Sequence, residues 1–109
     1  RIQYVLYPGL ENHPGYVINK AQTTGFGGMI SFAVDSAETA RQILEGIKLI
    51  KFSESLGGTE SLITYPIRQT HTDLTAEKGI TDCLLRFSTG IEATQDLIDD
   101  LAQAFAAVE

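Results

Sequence analysis

The chain has 109 residues, 43% hydrophobic and 20% charged, a balance that suits one folded domain and excludes a disordered segment. Its formal charge of −6, with only Lys48 and Lys51 as an approach to a basic cluster, excludes a nucleic-acid backbone as partner. No apolar run approaches the roughly 20 residues that cross a bilayer, and the single cysteine, Cys83, forms no internal disulfide and fits a reducing cytoplasm.

In chain order, Ile2 to Leu6 is β-prone and is closed by the turn pair Pro8-Gly9. Pro14 suits a first helical position, where its missing N–H costs nothing, and predicts a helix to about Gln22 with Tyr16, Ile18 and Ala21 available for packing. Gly25-Phe26-Gly27-Gly28 is a connection: it precedes a strand, so it lacks the context of a dinucleotide loop. The strand is Met29 to Val34, with Ile30, Phe32 and Val34 on one face at period two. Ser36 reads as an N-cap for a helix whose apolar stripe is Ala37, Ala40, Ile43, Leu44 and Ile47.

Ile47 to Phe52 is ambiguous between the end of that helix and a third strand. After the glycine turn at 57–58, Ser61 to Tyr65 is a short strand stopped by Pro66, and Asp73 to Lys78 a helical turn ending at Gly79. Asp82 to Ser88 is a strand with Leu85 and Phe87 on one face and Leu84, Arg86 and Ser88 on the other. Thr94 to Val108 is a helix with the stripe Leu97, Ile98, Leu101, Ala104, Phe105 and Val108, its N-terminal half crowded by Asp96, Asp99 and Asp100. The expected fold is α/β (α+β), a small, mostly antiparallel sheet with helices packed on one face, in a single domain over residues 1–109.

Two segments together suit a carboxylate. Arg86 presents a planar fork to two oxygens, and the turn around Ser55, Gly57 and Gly58 offers a hydroxyl and backbone amides. A small anion such as an amino acid is the ligand they suggest. Against this stand plainer readings. An arginine on a strand is more often a solvated-face residue, and a serine before two glycines is more often turn chemistry. His13 and His71 are too isolated for a metal site and read as turn or helix caps; Cys83 has no activating neighbour and reads as a small buried hydrophobe. Glu54 and Glu60 read as solvated carboxylates flanking the turn.

The chain also resembles, through nearly all its length, the C-terminal domain of the pyridoxal-phosphate enzymes of transsulfuration: cystathionine γ-synthase, γ-lyase and β-lyase. The resemblance is carried by Tyr7-Pro8-Gly9-Leu10 with His13-Pro14-Gly15, by Gly25-Phe26-Gly27-Gly28-Met29-Ile30-Ser31-Phe32, and by Glu54-Ser55-Leu56-Gly57-Gly58 with Glu60-Ser61-Leu62. It continues through Thr70-His71 and Leu85-Arg86-Phe87-Ser88-Thr89-Gly90-Ile91-Glu92, ahead of Asp96-Leu97-Ile98.

The resemblance implies a C-terminal small domain, with pyridoxal 5'-phosphate held as a Schiff base by a lysine of a larger preceding domain that this chain lacks. It implies that Arg86 binds the α-carboxylate of a sulfur amino acid, with Ser55 and the backbone at Leu56 assisting, and that Glu54 faces the distal amino group of a cystathionine-type substrate. It also implies a cytoplasmic homotetramer as the complete enzyme, with elimination or replacement at the β or γ carbon as its chemistry. The Arg86 and glycine-turn segments look most like bacterial cystathionine γ-synthases, with the two lyases as alternatives. None of Lys20, Lys48, Lys51 or Lys78 has the Ser-x-Thr-Lys setting of the family's cofactor lysine, so the expected isolated chain is inactive. The abrupt start without methionine fits a piece of such an enzyme. The other reading is a stand-alone amino-acid-binding module that keeps the clamp without catalysis.

Overall fold

The computed structural model describes residues 1–53, 57–66 and 82–108. Among these, five strands form one sheet: β1 (Ile2–Leu6), β2 (Met29–Val34), β3 (Lys51–Phe52), β4 (Leu62–Thr64) and β5 (Leu84–Ser88), in the spatial order β1-β2-β5-β4-β3. Three helices accompany them: α1 (Tyr16–Gln22), α2 (Ala37–Gly46) and α3 (Thr94–Ala106). All pairings are antiparallel except β3 with β4, so the sheet is the mostly antiparallel one expected.

Side-chain alternation divides the sheet into two faces. Val5, Phe32 and Leu85 form one row on the helix side, and Ile30, Phe87 and Ile63 the next. These pack with Ala40 and Ile43 of α2 and Leu97 and Ala104 of α3 into a single core, which Phe105 extends by ring contact with Phe32 at 6.2 Å. Leu6, Ser31, Arg86 and Thr64 make one row of the opposite face. β5 lies at the centre of the sheet: Leu85 and Phe87 are buried on the helix face, and Leu84 and Ser88 are buried on the other, on either side of the half-buried Arg86.

α2 begins where Ser36 predicts, since its hydroxyl oxygen accepts the Thr39 amide at 3.1 Å. It ends at Gly46, which resolves the ambiguous stretch: Ile47 leaves the helix and β3 begins at Lys51. The intervening turn is held by Asp100 of α3. Its carboxylate accepts the amides of Lys48 (2.8 Å), Leu49 (2.8 Å) and Ile50 (2.7 Å), and Gln103 Nε2 donates to it at 3.0 Å. Burial works against the Asp100 anion, yet these donors outweigh it and hold the carboxyl below its usual range.

α1 departs from expectation in two ways. It starts at Tyr16, not Pro14, because residues 7–16 form successive turns in which the Gly15 amide donates to His13 Nδ1 at 2.9 Å. His13 is therefore the turn cap expected of it. Ile18 and Ala21 do not enter the core; α1 buries no residue, and Tyr16 stacks on Phe26 at 5.6 Å. The helical turn expected at Asp73 to Lys78 and the His71 reading lie outside the described residues.

Candidate functional site

Arg86 occupies the middle of the central strand, opposite Ser31 on one side and Thr64 on the other. It is half-buried. Its Nη2 donates to Thr64 Oγ1 at 3.3 Å, and the buried Thr64 hydroxyl in turn donates to the Ser53 carbonyl at 2.5 Å. Thr64 is thus one of the groups that orient the guanidinium. Elsewhere, Arg1 lies 3.4 Å from Asp35, and Arg41 binds Glu38 and Glu45 on the surface of α2.

Glu54, Ser55 and Leu56 lie outside the described residues, but the positions that flank them are described, and both are tied to the face that carries Arg86. On one side the Ser53 carbonyl accepts from Thr64; on the other the Gly57 amide donates to Ser88 Oγ at 2.9 Å. Ser88 is two residues beyond Arg86 on the same strand face, about 7 Å along it. Gly57 takes φ +74°, a backbone state that a side chain disfavours.

From there the loop is locked to the segment that follows β5. The Ile91 amide donates to the Thr59 carbonyl at 3.0 Å, and Ser61 is fully buried. Glu92 accepts the Ser61 amide at 2.9 Å with one oxygen and the Ser61 hydroxyl at 2.8 Å with the other. The same hydroxyl accepts the Gly90 amide at 2.8 Å. The Ser61 amide first, then its hydroxyl, hold the Glu92 carboxyl below its ordinary range. Ser61, Ser88 and Glu92 stand in the segments that carry the family resemblance, but nothing local marks their roles; Ser61 and Glu92 are 31 residues apart, and no local periodicity signals such a pair.

The other features considered among the described residues do not offer an anion site. A cavity of about 440 Å³ opens on the helix face, between β1 and α3, lined by Ile2, Val5, Phe32, Leu97, Ile98 and Phe105; its one charged lining residue is Glu92, of the wrong sign for a carboxylate. Cys83 is partly buried against the core, and burial, then neighbouring Asp82, pushes its thiol up, away from nucleophilic use. Glu60 is exposed, as expected, and lies 3.4 Å from Lys51. Among the described residues no group of three His, Cys, Asp or Glu could hold a metal, and no helix is long and apolar enough to cross a membrane.

A mixed α/β domain with an arginine inside its central strand defines a class before it defines a member. The protein-family model for Cys/Met metabolism PLP-dependent enzymes matches residues 1–106, and the chain belongs to that family. It is 48% identical to a cystathionine gamma-lyase of Bacillus subtilis over 94% of its own length, and 45% identical to a cystathionine beta-lyase of Lactococcus lactis over 94%. In both cases it spans only 28% of the relative. The crystal structure of a cystathionine gamma-lyase from Lactobacillus plantarum complexed with L-serine superposes with a TM-score of 0.91 at 38% identity, covering 98% of this chain and 29% of that one.

The family is pyridoxal-phosphate dependent, and the described residues do not fit that cofactor. A Schiff base needs a lysine amine at a sheltered site, whereas Lys20, Lys48 and Lys51 are all exposed, with Lys20 over the Tyr16 ring and Lys51 beside Glu60.

Proposed function

We propose that this chain is the C-terminal domain of a pyridoxal-phosphate enzyme that breaks or exchanges a carbon–sulfur bond of a sulfur amino acid, and that it supplies the carboxylate anchor of the substrate. Arg86 is the anchor. What supports this most is its setting: a half-buried guanidinium at the centre of the sheet, with Nη2 donating to the Thr64 hydroxyl on the neighbouring strand. A fork so placed takes a carboxylate through two parallel N–H···O bonds and fixes the plane of the amino acid as well as its position. Orientation matters because the bond to be broken must lie where proton transfer is productive.

The reading extends to Ser55 and the backbone at Leu56 as assistants and to Glu54 as the partner of a distal amino group, on the resemblance of the segment alone. The names of the relatives favour a lyase acting on cystathionine over the synthase that the sequence segments suggest. The larger domain holding the cofactor belongs to the rest of the polypeptide, consistent with relatives more than three times as long. Assembly as a homotetramer in the cytoplasm completes the proposal.

The test is Arg86→Ala and Arg86→Lys in the complete enzyme. Truncating one partner of a hydrogen-bonded charge pair costs about 2–5 kcal/mol, so KM should rise at least ~30-fold in the alanine variant, with kcat also reduced. Unchanged kinetics at full cofactor content would overturn the assignment.

A further inference from the structure

We propose that Glu92, acting through Ser61, is a positioning residue for the substrate site: it locks the Gly57–Ser61 loop to the end of the strand that carries Arg86, so that both walls of the carboxylate site move as one body. This rests on the assignment of Arg86 above and adds a residue that touches neither substrate nor cofactor.

Three observations carry it. First, the Ser61–Glu92 contact is bidentate and directional. One carboxylate oxygen takes the amide at 2.9 Å, the other takes the hydroxyl at 2.8 Å, and that hydroxyl is itself fixed by the Gly90 amide at 2.8 Å. Ser61 is fully buried, so water cannot replace a lost partner there. Second, the two backbones are pressed together. A Cβ at Gly90 would lie 2.7 Å from the Glu60 carbonyl carbon and 2.6 Å from Glu92 Oε1, and would also clash with the Thr59 carbonyl oxygen. Backbone atoms cannot swing aside, so the fit requires glycine.

Third, the lock is continuous with Arg86. Leu62 pairs with Ser88 and Thr64 with Arg86, so the strand that starts after Ser61 is the one whose Thr64 hydroxyl orients the guanidinium. At the other end of the loop, Gly57 is fixed to Ser88. A shift of the Ser61 segment therefore moves Thr64 and Gly57 relative to Arg86 together.

The experiment uses the complete holoenzyme. Cofactor absorbance and thermal melting are recorded first, followed by steady-state kinetics with an amino-acid substrate for Glu92→Ala, Ser61→Ala and Glu92→Gln. Misplacement of about 1 Å costs up to ~100-fold in rate, so kcat/KM should fall roughly 10- to 100-fold in Glu92→Ala, chiefly through KM, with cofactor content retained. Glu92→Gln keeps an acceptor for the Ser61 amide and should recover part of the loss. The decisive readout is the double variant with Arg86→Lys: a residue that works by placing Arg86 should lose most of its effect once the fork is gone.

Glu92→Ala or Ser61→Ala with wild-type KM, while Arg86→Lys alone raises KM, overturns the positioning role and leaves the Arg86 assignment standing. Additive effects in the double variant also overturn it. An Arg86→Lys enzyme with unchanged KM refutes the site assignment itself. Where Glu92→Ala does not fold, Glu92→Gln and Ser61→Ala decide between the same outcomes.

Discussion

Replacing Asp100 separates a buried structural carboxylate from an ordinary helix-surface acid. Its two oxygens satisfy the amides of Lys48, Leu49 and Ile50, which form the turn between α2 and β3. In Asp100→Ala all three lose their acceptor. The bonds of the Lys48 and Leu49 amides are partly buried, whereas that of Ile50 is buried and its N–H stays unsatisfied. An orphaned buried donor costs about 1–3 kcal/mol, and the loss of a buried charged acceptor for the other two brings the total to roughly 3 kcal/mol.

Native-state hydrogen exchange is the assay, because it reads the turn itself. At about 1.4 kcal/mol per factor of ten, protection at Lys48–Ile50 should fall about 100-fold, with a matching loss in urea unfolding. Asp100→Asn should fall between, since one amide oxygen remains and the NH₂ group confronts a donor. The pH dependence has a definite sign. A carboxyl whose folded pKa lies below its unfolded value contributes stability above the unfolded pKa and loses it as pH falls through the folded one. Wild type should thus shed this stability in acid, below the ordinary carboxylate range, and the alanine variant should not. Unchanged protection at Ile50 in Asp100→Ala would refute the reasoning.

Two further variants probe the core and a cap. Leu85 is completely buried on the central strand, so Leu85→Ala should cost about 3 kcal/mol through lost transfer energy and a residual cavity, read as a lowered urea midpoint at unchanged slope. Ser36→Ala removes the acceptor of the Thr39 amide and should cost about 1 kcal/mol, with exchange accelerating in the first turn of α2 and nowhere else.

Sequence reading succeeded where the information was local. The alternation Ile30, Phe32, Val34 and the stripe Leu97, Leu101, Ala104, Phe105, Val108 report burial through a short period, though Ile98 of the same expected stripe is 53% exposed, and a serine ahead of a helix reports its own cap. It failed where a side chain serves a distant backbone. Asp100 was read with Asp96 and Asp99 as a charge near the helix N-terminus, yet it faces inward to a turn about 50 residues away. Ile18 has the composition of a core residue and is 61% exposed, because α1 has no described face to bury it against. Arg86 was legible as a candidate from its strand; that Thr64 orients it depends on the register of β4 against β5, which no spacing in the sequence states.

The central claim is that Arg86 recognises an α-carboxylate, and ligand selectivity tests it most directly. In the complete enzyme, binding of an amino-acid ligand is compared with that of the amine lacking only its α-carboxylate, in wild type and in Arg86→Ala. The account predicts a strong preference for the carboxylate in wild type that shrinks by ~30-fold or more in the variant. An equal preference in both proteins would place the carboxylate elsewhere and contradict it.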